Sequence, residues 1–545
     1  MNRRELIAAW MAALFAARSN GASAKNNVRS GPVRPPNIER LSDVNGKPVY
    51  ETDVCIIGAG AAGITLARSL ASTGVQCLLL ESGDFQLDVD TQTLADAEHT
   101  GLTSSRVCRL RYFGGTTNHW GGWCAPLNEE DFAERAWVPD SGWPISYSQL
   151  DTYYPAAQAL CELGPFRYTA EALSSEQRDF TRFDTDQLTA RFYQFSDPPT
   201  RFGTAYREDL QSASNITLLL QANVVELEAD ASVTRVRAAK LRALDGSVGE
   251  VRAKRFVLAC GAVENARLLL LSNSAEPAGL GNRNGLVGRY FMQHPHVAAA
   301  TLLTREADLL EPLFARHAVG AAKVRASLSP SAAVQAERRL LNCAATLDRT
   351  PDPVTGYGAL RYIWRDIRNG QWPEDLGLRM RRAFGDPGSM ADSDKLMTLY
   401  MRSEQAPNPD SRITLSDEVD ALGLRRARID WQLSETDKRT IAEGAKAIGE
   451  SLSGMGLGSV RLAPWLQNAD ANWPAELWGG CHHMGTTRMS RTAESGVVDE
   501  QCRVHNIDNL YVAGSSVFPT AGYANPTLTI VALALRLAEH LRDSA

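Results

Sequence analysis

Three short runs in this 545-residue chain put chemistry-bearing residues at telling spacings. Gly58-Ala59-Gly60-Ala61-Ala62-Gly63 spells GxGxxG between the apolar run Val54–Ile57 and a helix-forming stretch from Ala62 to Ser72. In such a turn the first glycine permits the tight bend and the second lets the backbone approach a pyrophosphate. The third lets helix and strand pack closely, and the helix N-terminus offers N–H groups and a positive dipole end. Glu81 ends the next apolar run, Cys77–Leu80, 23 residues after Gly58, where a carboxylate can accept both hydroxyls of an adenosine ribose. The pattern serves FAD and NAD alike, and its place near the N-terminus of a long chain leans toward FAD. Histidines gather at His294 and His296 and again at His482 and His483. His294 and His296 have no third ligand nearby in sequence and read as structural, so no metal site is expected. Asn525-Pro526 reads as an N-cap with proline at the first position of a helix from Pro526 to Arg542.

These residues need elements to hold them. Val54–Ile57, the helix after the glycines and Cys77–Leu80 form the start of a βαβ unit. β-rich runs at 219–234 and 240–259 lead to Gly261-Ala262-Val263-Glu264-Asn265 and a leucine-rich helix. Residues 297–465 are of another kind, with alternating strands and polar helices, and are the expected substrate-binding domain. Within it, 365–395 is rich in Gly, Pro, Asp and Arg and reads as a long loop or lid. The reading is therefore an irregular lead-in at 25–50, a dinucleotide-binding domain over 51–296 with a loop at 105–125, the substrate domain over 297–465, and a return to the first domain over 466–545.

Composition narrows the classes. Hydrophobic residues make up 44% and charged residues 22%, and the net charge of −6 comes without a dense Lys/Arg block, so nucleic-acid binding is not expected. No stretch approaches the roughly 20 apolar residues that span a bilayer. The nine cysteines form no CxxC or CxxCH and lack iron–sulfur or zinc spacing; their odd number argues against a fully paired disulfide framework. Arg3-Arg4, the apolar run Ile7–Ala17 and Ala22-Ser23-Ala24 resemble a twin-arginine export signal over residues 1–24, with a mature form starting near Lys25. A plain surface helix fits the same residues, so both a periplasmic and a cytoplasmic location stay open.

Two longer motifs sharpen the picture. One is Arg111-Tyr112-Phe113-Gly114-Gly115-Thr116-Thr117-Asn118-His119-Trp120-Gly121-Gly122. The other runs from Gly479-Gly480-Cys481-His482-His483-Met484-Gly485-Thr486-Thr487-Arg488-Met489 through Val512-Ala513-Gly514-Ser515-Ser516 to Ala524-Asn525-Pro526-Thr527. Together they resemble the glucose–methanol–choline oxidoreductase family, in its bacterial sugar dehydrogenase and pyranose oxidase branch. Glu404-Gln405-Ala406-Pro407-Asn408-Pro409-Asp410-Ser411-Arg412 has the same flavour. The resemblance implies an α/β FAD-binding Rossmann-type fold with a discontinuous flavin domain and an α+β substrate-binding domain built on an antiparallel sheet. It implies that His482 takes a proton from a substrate hydroxyl while hydride passes to flavin N5, and that Asn525, 43 residues later, orients that hydroxyl. His483 is the rival of His482.

Further residues follow from the resemblance. Gly58, Gly60, Ala61, Ala62, Gly63 and Glu81 would hold the dinucleotide, and Val224 would meet the adenine through its backbone. Gly114, Gly115, Asn118, Trp120, Gly121 and Gly122 belong to the flavin loop, Gly261 to an internal flavin-binding segment, and Gly514, Ser515, Pro526 and Thr527 to the ring-binding end. The helix starting at Pro526 would aim its positive end at the ring. His119 either bonds covalently to the flavin, lines it without a bond, or is structural. Gly121 replaces the threonine of pyranose oxidase, which puts oxygen reactivity in question. Arg109 and Arg111 would meet phosphate, fix the loop or lie at the surface. Glu264 belongs to the internal segment, and Tyr357, Tyr362, Trp364 and Trp372 are either sugar-stacking or core residues.

The expected activity is FAD-dependent oxidation of a small-molecule alcohol, a sugar, glycoside, polyol or cyclitol. Electrons would go to an external acceptor such as a quinone or cytochrome, with a small subunit as a candidate partner. An oxidase releasing hydrogen peroxide, and a non-redox or structural flavoprotein, are the alternatives.

Overall fold

The computed structural model describes residues 37–543 apart from 72, 103–107, 176–177, 350–395 and 469–470. The export-signal segment, residues 25–36 of the lead-in, residues 105–107 of the flavin loop and the candidate lid lie outside the described residues. So do Tyr357, Tyr362, Trp364 and Trp372.

Val54–Ile57 and Cys77–Leu80 are apolar throughout because both faces of the sheet they enter are covered. Strand Val49–Ile57 runs parallel to Cys77–Leu80 on one side and to Val248–Leu258 on the other. Cys77–Leu80 continues in parallel to Ile216–Leu220, and that strand to Ile38–Arg40. Beyond Val248–Leu258 the sheet turns antiparallel through Val236–Arg242 and Asn223–Ala229. Leu510–Val512 returns from the far end of the chain to pair in parallel with Phe256–Leu258. The helices Ala61–Leu70 and Thr527–Asp543 pack together against this sheet. The flavin-type domain is thus discontinuous in sequence, as expected.

The second sheet is antiparallel at every pairing. Its members are Trp123–Cys124, Leu188–Phe195, Ala322–Pro330, Cys343–Arg349, Leu396–Ser403, His296–Leu303 and Ser459–Leu462, with His317–Val319 at the side. Helix Glu435–Gly454 covers it. Ile441, Ala445, Ile448 and Leu452 recur at helical spacing and are buried in the second core. A capping box starts that helix: Asp437 N–H reaches Ser434 Oγ at 3.4 Å, and Ser434 N–H reaches Asp437 Oδ2 at 2.6 Å.

Two sheets draw strands from both sides of the 296/297 division. Leu188–Phe195 pairs with Ala322–Pro330, and Ala97–Gly101 runs parallel to Arg425–Trp431 in a small third sheet. Pairing across so many residues depends on tertiary packing, which local patterning does not report. Among the described residues no helix is long and apolar enough to cross a membrane.

Candidate active site

A cavity of about 550 Å³ runs from the glycine turn to the edge of the antiparallel sheet. At its first end lie Gly58, Gly60, Ala61, Ala62 and Glu81. The three glycines owe their identity to different things. A Cβ on Gly63 would sit 1.9 Å from the Gly58 carbonyl oxygen, and one on Gly58 would sit 2.8 Å from that of Ala259, so these two are demanded by the protein's own packing. A Cβ on Gly60 would meet no protein atom within 4 Å, and its φ of −88° suits any residue. What Gly60 leaves room for is outside the protein, which fits a pyrophosphate drawn against the backbone at the start of helix Ala61–Leu70. Glu81 accepts N–H bonds from Ala59 and Gly83, each at 3.0 Å, and so holds the turn at the ribose end. These residues fit FAD.

Farther along, Glu264 gathers three guanidinium groups, with Arg109 at 2.5 Å, Arg111 at 3.2 Å and Arg267 at 3.3 Å. Burial alone would raise the Glu264 carboxyl. The cations of Arg267, Arg109 and Arg111 overcome it and lower the pKa to about 2. Arg109 and Arg111 therefore fix the loop to helix Ala262–Leu271 and are not surface residues.

At the far end the catalytic-type residues converge. His482 and His294 approach Nδ1 to Nδ1 at 2.8 Å, and Asn525 Nδ2 donates to His482 Nε2 at 3.2 Å. His294 Nε2 faces the Ala521 carbonyl oxygen at 3.4 Å. A carbonyl only accepts, so the His294 proton sits on Nε2 and its Nδ1 is a lone pair. His482 must then donate from Nδ1, which leaves a lone pair on Nε2. Burial, reinforced by His294, Arg402 and His483, holds the His482 pKa well below the usual histidine value. The ring is neutral and ready to accept a proton. Asn525 Oδ1 and His296 Nε2 are buried beside it without a hydrogen-bond partner.

Gly480 makes this approach feasible. Its φ is +68°, and a Cβ there would stand 2.9 Å from both His482 Nδ1 and His296 Cε1. The next residue, Cys481, is bonded to Cys108, which ties the histidine segment to the start of the flavin loop across 373 residues.

His294, His296 and His482 place their ligand-type nitrogens within 4.8 Å of one another, so folding supplies the third histidine that the sequence lacked nearby. The 2.8 Å spacing of His294 and His482 is that of a hydrogen bond. Two nitrogens on a tetrahedral zinc ion stand about 3.3 Å apart, given Zn–N bonds of about 2.0–2.1 Å. The arrangement is a hydrogen-bonded His294–His482 pair with the His296 ring packed beside it.

Most of the expected residues line this cavity. Gly115, His119, Trp120 and Gly121 come from the flavin loop, and Val224 and Gly261 from the sheet and the turn after it. Gly514, Ser515, Asn525, Pro526 and Thr527 come from the C-terminal segment. Burial, with Arg201 nearby, lowers the His119 pKa and keeps that ring neutral.

Four expected residues sit behind the wall. Gly63 is the packing glycine described above. Asn118 turns its amide to the Phe113 carbonyl at 2.9 Å and braces the bend at Gly114, where a Cβ would strike the Asn118 side chain. Gly122 abuts Ser196.

The expected cap also shifts. The helix begins at Thr527, its first bond runs from Ile530 N–H to the Pro526 carbonyl, and the Asn525 side chain points to His482. Asn525 lines the cavity and does not cap the helix. His483 also borders the cavity, but its ring packs on Phe291 at 5.5 Å and burial lowers its pKa to about 3.

Sequence reading missed Trp123, Tyr400, Arg402 and Trp478 and took His296 as structural; all five line the cavity. Tyr400, Arg402 and His296 come from two strands that pair only in the fold. The Glu404–Arg412 stretch proves to be a brace. Glu404 pairs with Arg135 at 2.6 Å, Gln405 accepts from Gln293 N–H at 2.9 Å, and Ser411 Oγ donates to the Phe291 carbonyl at 2.6 Å. These bonds hold the segment that carries His294.

Comparison with known proteins agrees with this layout. Residues 53–279 match the family model described as FAD dependent oxidoreductase, and residues 407–534 match the one described as GMC oxidoreductase. The chain is 23% identical to the fructose dehydrogenase large subunit of Gluconobacter japonicus, over 89% of this chain and 97% of that protein. It is 26% identical to paromamine 6'-oxidase of Streptomyces fradiae, over 89% of this chain and 90% of that protein. Its fold resembles the crystal structure of pyridoxine 4-oxidase from Mesorbium loti, with a TM-score of 0.51 and 17% identity over 90% of this chain and 99% of that one. A glycine turn shaped for a dinucleotide, joined in one cavity to a neutral histidine, meets these matches from both ends of the sequence: the chain belongs to the glucose–methanol–choline oxidoreductase family and is an FAD-dependent oxidoreductase.

Proposed function

We propose that the protein oxidises an alcohol carbon of a sugar, glycoside or polyol, with His482 as the base. The observation that carries this reading is the bonded series His294–His482–Asn525, which leaves a lone pair on His482 Nε2 inside the cavity that begins at the glycine turn. FAD, when bound, supplies a two-electron acceptor for the hydride that leaves the alcohol carbon. The chain's own residues do the rest. His482 Nε2 takes the hydroxyl proton, and the alcohol carbon is left as a carbonyl. Asn525, whose Nδ2 already stands beside His482, steadies that oxygen by donating an amide N–H to it. His294 holds the His482 ring in one tautomer. His119 lines the cavity and would meet FAD there, with or without a covalent bond. Trp478 lines the cavity with its ring 5.3 Å from that of His296.

The electrons are assigned to an external acceptor, a quinone or cytochrome. The fructose dehydrogenase relative is named as a large subunit, which supports a small partner subunit here too. The purified holoenzyme, mixed anaerobically with sugars, glycosides and polyols, should lose its flavin absorbance with at least one class. Colour should then return with a dye acceptor faster than with air. Return with air at the dye rate would make it an oxidase, and a flavin that no alcohol bleaches would refute the reading.

A further inference from the structure

The cavity holds a cation that the reaction above does not use. Arg402 lies on strand Leu396–Ser403, directly opposite His296 on the neighbouring strand, and both side chains border the cavity. The His296 ring is 5.5 Å from that of His482, so Arg402 belongs to the end where the substrate is oxidised. Its guanidinium is packed on the Trp123 ring at 4.7 Å and beside Tyr400 at 5.4 Å and Tyr193 at 5.8 Å. Thr346 Oγ1 accepts one bond from it at 3.1 Å.

Among the described residues no carboxylate pairs with Arg402. The acid on a neighbouring strand, Asp348, is engaged with Arg325 at 2.5 Å. The two acids that border the cavity are both spoken for at its dinucleotide end: Glu81 holds the glycine turn, and Glu264 is surrounded by three arginines. Taking a guanidinium out of water without a counter-charge is costly, and aromatic faces return only part of that cost. A planar fork with free donors, held rigid by rings on the wall of a substrate cavity, is the arrangement that binds a carboxylate through two parallel hydrogen bonds.

We propose that Arg402, seated on Trp123 and Tyr400, is a subsite for the carboxylate of a hydroxylated acid, so that the substrate is a sugar acid such as a uronate or aldonate. This rests on the reading of His482 as the base of an alcohol oxidation. The same charge disfavours amino sugars, because a protonated amine in this end of the cavity would face a cation, while the lining acids among the described residues, Glu81 and Glu264, are engaged at the dinucleotide end.

The test pairs two measurements. In the first, glucose and glucuronate, and glucitol and gluconate, are compared for anaerobic bleaching of the flavin by wild type, Arg402→Lys and Arg402→Met. The acid of at least one pair should be favoured at least ten-fold in kcat/KM. Arg402→Met should remove that preference through KM, and Arg402→Lys should restore part of it. In the second, calorimetry measures binding of cyclohexanecarboxylate, which has a ring and a charge but no hydroxyl to oxidise. Wild type should bind it, and Arg402→Met should bind it at least ten-fold more weakly.

Neutral and acidic partners used equally well, with no binding of cyclohexanecarboxylate, would overturn the subsite while leaving alcohol oxidation intact. Carboxylate binding that depends on Arg402, without bleaching by any compound, would support the subsite and refute the oxidation. An Arg402→Met enzyme whose flavin spectrum and potential shift while its carboxylate affinity stays unchanged would assign Arg402 to the cofactor and overturn the proposal.

Discussion

The proposed role of His482 as the base rests on what its other nitrogen does. Because His294 gives its only proton to a carbonyl oxygen, the His482 lone pair has to face Asn525. Burial comes first among the causes that depress the His482 pKa, followed by His294, Arg402 and His483. The protonated, inactive form therefore accumulates only below the usual histidine value of about 6.5. The acid limb of kcat/KM should lie below pH 6.5, and Arg402→Met should move it upward, because a cation that disfavours the imidazolium is gone. A pH–rate profile of both enzymes checks this; an acid limb of the variant at or below that of wild type would contradict it. At this scale the sequence was legible where motifs carry the residues, as with His482 and Asn525, which the fold brings to 3.2 Å. It was silent on Arg402 and on the part played by His294, since their roles come from strands and turns distant in the chain.

Elements hold these residues at two anchor points. Met292 and Met484 exchange backbone hydrogen bonds, each at 3.0 Å, and so bring His294 beside His482. The Cys108–Cys481 bond fastens the residue before His482 to the flavin loop. A cross-link that closes so long a loop restricts the unfolded chain, and losing it typically costs about 2–5 kcal/mol. Cys108→Ser should lower the unfolding free energy by about that amount and so shift the urea midpoint of the holoenzyme downward; an unchanged midpoint would count against the bond.

Glu264 is the second anchor. Its pKa is depressed to about 2, so it contributes stability that is present above its unfolded value of 4.5 and lost as pH falls toward 2. Glu264→Gln leaves Arg109 and Arg111 without their carboxylate, while Arg267 keeps Asp420 at 2.6 Å, and should cost on the order of 3 kcal/mol at neutral pH. Calorimetry checks it, and a wild-type melting temperature in that variant would refute the account. The first strands and helix were readable to within a few residues, because fully buried strands and a glycine turn leave a local signature. The disulfide and the membership of Leu188–Phe195 in the second sheet had none, since both depend on partners far along the chain.

For the molecule as a whole, several buried histidines act on stability in one direction. The His294 pKa is lowered to about 4, chiefly by burial, so the unfolded chain binds the proton more readily than the folded one between about pH 6.5 and 4. Stability should be flat above pH 7 and fall through that window as the medium is acidified. The other seven cysteines are free, and all but Cys260 are buried, so one bond at the site is the cross-link the fold relies on. Such a bond persists in an oxidising compartment.

The central claim is that His482 is the base of an alcohol oxidation. Stopped-flow mixing of the anaerobic holoenzyme with its best sugar substrate tests it most directly, comparing wild type with His482→Ala. The variant should keep its FAD and bleach at least 10²- to 10⁴-fold more slowly, roughly the range for loss of a general base. FAD retained with bleaching at a near-normal rate would contradict the account.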